Sequence, residues 1–330
     1  MEGEVMKRAI IVGLALTLLP YCSAVAQAQS DPSAQHAPSE AVDVDDVIVN
    51  GQSIRRNAES FVSSVAAPPT GRKAATWKDR VCVGAIGFAP EPATAIVDRI
   101  LDWSHSFGLR VGASGCTPNV FVVATDNGAQ TAKDLVRMRP DTFDIGASSS
   151  DRGGVALRAF QDSASPVRWW HTSLPTNADT GRPIVRLRNQ PPFAPMNLEI
   201  TRPSDLGDYG RTMMSSRLYD NSEDKIISVV IIVDVSAIHD VNITQLSDYL
   251  AMVALAQVAP STSPAVPSIL NLFSAQGEPQ ATLSPWDRAY LETLYSHSAR
   301  TVPPSQDRDL VAKLMAQRVQ NTQSGSPSDR

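Results

Sequence analysis

Residues 225–238 read KIISVVIIVDVSAI. From Ile226 to Val233 the side chains are β-branched almost throughout and apolar on both alternating faces. Such a run favours extended backbone inside a sheet covered on both sides. The segment that follows, NITQLSDYLAMVALAQ from Asn242, opens with Asn242 and has Gln245 three residues on, the pattern of a capping box. Leu246, Tyr249, Leu250, Val253 and Ala254 form one helical stripe, which Ala251, Met252 and Leu255 widen until the helix is apolar nearly all round. A helix of that kind is buried. After a proline-rich loop come PSILNLF (267–273) and LSPWDRAYLETLY (283–295). Ser284 as cap, Pro285 at the first helical position and Asp287 at the third specify a helix start.

Towards the N-terminus the pattern becomes that of a βαβ-like unit. VCVGAIGF (81–88) predicts a strand, Pro92–Phe107 a helix stopped at Gly108, NVFVVAT (119–125) a second strand, and Ala129–Met138 a helix ended by Pro140. Before it, Val47-Ile48-Val49 followed by Asn50-Gly51 reads as a short strand entering a tight turn, and Ser53–Val65 as a helix. Between the two halves PVRWWHT, RPIVRLR and MNLEIT read as short strands. For adjacent Trp169 and Trp170, strand alternation puts one in the core and one at the surface, where an indole face could stack on a sugar or peptide. Beyond Pro303-Pro304, Leu310, Val311, Leu314, Met315 and Val319 make a short amphipathic helix expected to pack on the rest. The fold class expected is α+β.

The chain has 330 residues, 42% of them apolar, enough for a sizeable core. Its 29 basic and 34 acidic residues give a formal charge of −5 without a basic block, which argues against nucleic acid as a partner. Lys7 and Arg8, then AIIVGLALTLLP, then SAVAQAQ have the layout of a cleaved secretory signal peptide over residues 1–26, leaving no stable membrane span. The expected location is periplasmic or secreted. Residues 27–45 are polar, rich in Ala, Ser and Pro, and read as a disordered linker. With Cys22 removed in the leader, Cys82 and Cys116 form an even pair, expected as a disulfide in an oxidising compartment.

The order strand, helix, SIL-F, L-S-x-x-D, Y-L-x-x-L-Y over Lys225–Tyr295 resembles zincin-like (metallopeptidase-like) secreted proteins. The mature chain as a whole is similar to uncharacterised exported proteins of alphaproteobacteria. The residue patterns give an N-terminal α/β subdomain at 46–155 and an amphipathic helix with a disordered tail at 301–330, and the resemblance implies that the subdomain at 156–300 is zincin-like. Active members carry HExxH on the central helix, two histidines for zinc and a glutamate for the attacking water. Aligned on Ala254-Leu255, Ser247 and Ala251 stand at the histidine positions and Asp248 at the glutamate position, so no metal or other cofactor is expected. No phosphate-binding glycine loop and no GxSxG occurs. Asp234, His239 and Asp248 are the remaining catalytic candidates, with Asp234 expected to face a turn and Asp248 to be exposed on its helix, and Trp169 and Trp170 are the binding candidates. The expected function is a non-catalytic cell-envelope protein binding a peptide or protein partner. An active hydrolase assembled from Asp234, His239 and Asp248 is the alternative.

Overall fold

The long apolar strand is the middle of the sheet. In the computed structural model, residues 44–145, 151–183, 222–260, 262–275, 280–296 and 302–325 are described. Their elements run α1 (Val44–Val65), β1 (Thr76–Trp77), β2 (Val83–Ile86), α2 (Pro90–Ser106), β3 (Val120–Thr125), α3 (Gly128–Met138), α4 (Pro140–Phe143) and α5 (Gly153–Asp162). There follow β4 (Val167–Asn177), β5 (Ser222–Asp234), α6 (Ile243–Leu255), a 3-10 turn at Ile269–Phe273, α7 (Pro285–Ser296) and α8 (Pro304–Gln323). This is a mixed α/β fold, in keeping with the α+β expectation.

β4 lies antiparallel along almost the whole of β5. The other edge of β5 is shared by two parallel strands in tandem, β1 opposite Lys225–Ile226 and β3 opposite Val229–Asp234. β2 adds a further parallel strand beyond β3, completing the βαβ unit around α2. The sheet therefore takes strands from both sides of residue 155, and the two expected subdomains share it.

Register sorts the side chains into two faces. Val120, Val122, Val167, Trp169, Val229, Ile231 and Val233 point to one face and join the main core with α1, α2, α6, α7 and α8. Trp170, Val230 and Ile232 point to the other and pack under Ala132, Phe143 and Phe160 from α3, α4 and α5. Ile226 and Val229–Val233 are all buried, as a strand covered on both faces requires. Local chemistry fixes the helix ends. Asn242 and Gln245 form the reciprocal capping box at α6. At α7, Ser284 Oγ accepts from Asp287 N (3.1 Å) while Asp287 Oδ2 accepts from Ser284 N (2.8 Å).

Three expectations need correction. Residues 47–51 are helical within α1, not a strand and turn. Ile54, Ala58, Phe61, Val62 and Val65 repeat at helical spacing and are buried, so packing of that stripe outweighs the turn preference of Asn50-Gly51. Trp169 and Trp170 do alternate across the sheet, yet both are buried, because both faces are covered. Asp248, expected to face solvent, is fully buried. The leader, the linker up to Asp43, MNLEIT and most of RPIVRLR lie outside the described residues.

The amphipathic helix at the C-terminus packs, through Val311, Ala312, Met315, Ala316 and Val319, in the main core. Cys82 and Cys116 sulfurs are at disulfide distance, 1.89 Å, with Cα atoms 6.2 Å apart. Among the described residues no helix is long and apolar enough to cross a membrane.

Candidate functional site

The glutamate-equivalent position on α6 is held in place from α2. Asp248 accepts two bonds from the Arg99 guanidinium, Nε to Oδ1 at 2.5 Å and Nη2 to Oδ2 at 2.9 Å. Trp103 Nε1 donates a third to Oδ1 at 2.6 Å. Arg99 and Trp103 are one helical turn apart, and the guanidinium carbon lies 5.1 Å from the Trp103 ring centroid. The carboxylate is thus fully paired, as a buried charge must be. The histidine-equivalent positions are also enclosed: Ser247 is 1% exposed with its hydroxyl on Ile243 O (2.7 Å), and Ala251 is fully buried.

Asp234 lies at the end of β5 and faces α3. Its Oδ2 accepts from Gly128 N at the start of that helix (2.8 Å) and its Oδ1 from Ser236 Oγ (2.7 Å). These bonds, the Gly128 amide foremost, hold its carboxyl below the ordinary range. α2, which holds Asp248, joins the core on the opposite face of the sheet. The two carboxylates consequently do not form one acid–base pair. His239 is exposed beyond the 3-10 turn Val235–Ala237, and no described hydrogen bond ties it to either aspartate.

The tryptophans are structural neighbours. Trp169 Nε1 donates to Val258 O (2.9 Å) and its ring meets Tyr249 edge-on at 6.1 Å. Trp170 Nε1 donates to Phe143 O (3.0 Å) and its ring tilts against Phe160 at 6.0 Å. Neither ring presents an open face, since both residues are 5% exposed. Among the described residues, no group of three or more His, Cys, Asp and Glu is placed to hold a metal.

A cleft of about 610 Å³ lies elsewhere, between the end of α1, residues 66–74, α7 and the first turns of α8. Val62, Ala66, Pro68, Leu294 and Val311 give it an apolar wall. Tyr290, 1% exposed, lines it, braced edge-on by Phe61 at 5.6 Å, and among the described residues the Tyr290 hydroxyl has no hydrogen-bond partner. Burial, and after it the charge of Asp307, raises the phenol above its ordinary value, so the hydroxyl keeps its proton. Asp307 and Arg308, consecutive in the first turns of α8, line the same cleft. Arg72 lines it too, with Nε and Nη2 on Asp224 Oδ1 at 3.0 and 2.7 Å. A volume in this range, an apolar wall and a few polar groups are the usual make-up of a ligand site.

Sequence reasoning passed over this site. Tyr290 sits one turn before Leu294, and nothing in that spacing singles it out as a binding residue. Its unpaired hydroxyl depends on α8 closing over α7, which no local signal reports. Compared with known proteins, the chain matches no protein-family model, no curated protein and no solved structure. The class defined by fold and site is a mixed α/β protein with an amphipathic cleft at the junction of α1, α7 and α8.

Proposed function

We propose that this chain is an exported cell-envelope protein that binds a peptide or protein partner without catalysing a reaction, on a scaffold akin to that of metallopeptidases. The observation that carries the reading is Asp248. A general base needs an available lone pair within reach of a water or substrate proton. Asp248 is buried and takes three bonds from Arg99 and Trp103. It acts as a strut between α2 and α6. The succession of strand, buried helix, 3-10 turn and capped helix over Ser222–Ser296 supports the scaffold likeness. The leader-like residues 1–26 support export, and the Cys82–Cys116 pair at disulfide distance supports an oxidising compartment.

The test is metal content and peptidase activity of protein purified from the periplasm. We expect zinc well below one equivalent and no cleavage of a denatured protein substrate. Stoichiometric zinc whose removal by chelator abolishes peptidase activity would overturn the reading in favour of an active hydrolase.

A further inference from the structure

We propose that the cleft beneath Tyr290 is a peptide site that grips a short, extended segment by its main chain, with the Tyr290 hydroxyl donating to a peptide carbonyl. The proposal rests on the binding reading above and assigns it a place and a ligand class. A buried hydroxyl without a partner is unfavourable in the empty protein, and a bound acceptor removes that penalty. The acceptor must be one that tolerates the surroundings. Asp307 and Arg308, side by side on the lining, bring opposite charges to it. A simple carboxylate would meet Asp307 as a like charge, and a simple amine would meet Arg308. A peptide amide is neutral and offers a carbonyl, so it can accept from Tyr290 and Arg308 without adding a charge beside Asp307. The apolar wall of Val62, Pro68, Leu294 and Val311 then receives a small or medium apolar side chain. At about 610 Å³ the cleft takes a few residues of chain, not a folded surface.

The test uses the mature full chain and a pool of acetylated, amidated tetrapeptides with apolar central residues. Matched straight-chain carboxylates and alkylamines serve as controls. Binding is read by calorimetry and by the shift in melting temperature. We expect saturable binding of some tetrapeptides and none of the controls. Tyr290→Phe should weaken that binding about three- to tenfold, the worth of one neutral hydrogen bond. Its melting temperature without ligand should equal or exceed that of the parent, since the lost hydroxyl has no hydrogen-bond partner among the described residues. Absence of peptide binding, preferential binding of the carboxylates, or equal affinity in Tyr290→Phe would each overturn the proposal. Mass spectrometry of the incubated peptides separates the two readings. Cleaved peptides would sink the non-catalytic reading, whereas intact and unbound peptides sink only the site.

Discussion

His171 lies on β4 and points at α6, where its Nε2 is 2.8 Å from Val253 O. A carbonyl only accepts, so Nε2 carries the proton and the neutral ring donates. Burial lowers the imidazole from 6.5 to about 4. The unfolded chain therefore takes up a proton near pH 6.5 while the native ring resists until about pH 4. Stability that is complete above pH 6.5 is lost as pH falls from there to about 4, by up to about 3 kcal/mol. Asp234, whose carboxyl is held low, loses its own contribution only below the ordinary carboxylate value of 3.8, outside most of that window. Denaturant midpoints at pH 7.5, 5.5 and 4 should fall in the parent and fall much less in His171→Gln. Equal slopes in the two proteins would remove His171 as the cause. Asp248 shows what one position can and cannot tell. A carboxylate on a helix apolar all round was visible as an anomaly in the sequence, but Arg99, its partner, is 149 residues away. Nothing local joins an arginine and tryptophan on one helix to an aspartate on another. The residue type was legible and its role as a strut was not.

At the scale of elements, α6 and α7 could be read almost to the residue because their start signals are local: Asn242 with Gln245, and Ser284-Pro285 with Asp287. α1 could not, because the helix as a whole packs against α8 from the other end of the chain. Asn50-Gly51 is a strong turn signal in isolation. Here Gly51 is inside a helix, and a Cβ built on it would meet only Gln320 Nε2, at 3.7 Å. That is an ordinary contact, so nothing in the packing requires glycine there. Glycine within a helix costs roughly 0.5–1 kcal/mol relative to alanine through the entropy of the unfolded chain. Gly51→Ala should consequently stabilise the protein by about that amount, seen as a higher urea midpoint with an unchanged slope. A loss of stability would mean that residues 47–51 leave the helix, as the turn reading has it.

For the molecule as a whole, the sheet is built from strands far apart in sequence, with β1 and β3 from the first half lying beside β5 from the second and β2 beyond β3. Long-range pairing of this kind carries a large loop-closure cost before it is rewarded. The pairing was not legible, although the strands were, because alternation and β-branching mark a strand without naming its neighbour. The Cys82–Cys116 pair acts on that cost. It spans 34 residues and ties the start of β2 to the loop that leads into β3, shortening the connection around α2. The surroundings are cut to fit: a Cβ on Gly112 would come within 2.4 Å of Cys116 Sγ and 3.3 Å of Cys82 Cβ, so only glycine leaves room for the two cysteines. Closing a loop of this length restricts the unfolded chain by about 3–4 kcal/mol in the chain-entropy model. Reduction with dithiothreitol, or the double variant Cys82→Ser/Cys116→Ser, should lower the denaturant midpoint accordingly, and thiol titration under denaturant of untreated protein prepared without residues 1–26, which contain Cys22, should find no free thiol. The fold carries its own control, since the pair lies far in sequence from Tyr290, Asp307 and Arg308. Reduced protein that is still folded should bind the tetrapeptides as the oxidised protein does. Two titratable thiols in the untreated protein, or a midpoint indifferent to reduction, would show that the two sulfurs are not joined and that the sheet is held by its packing alone.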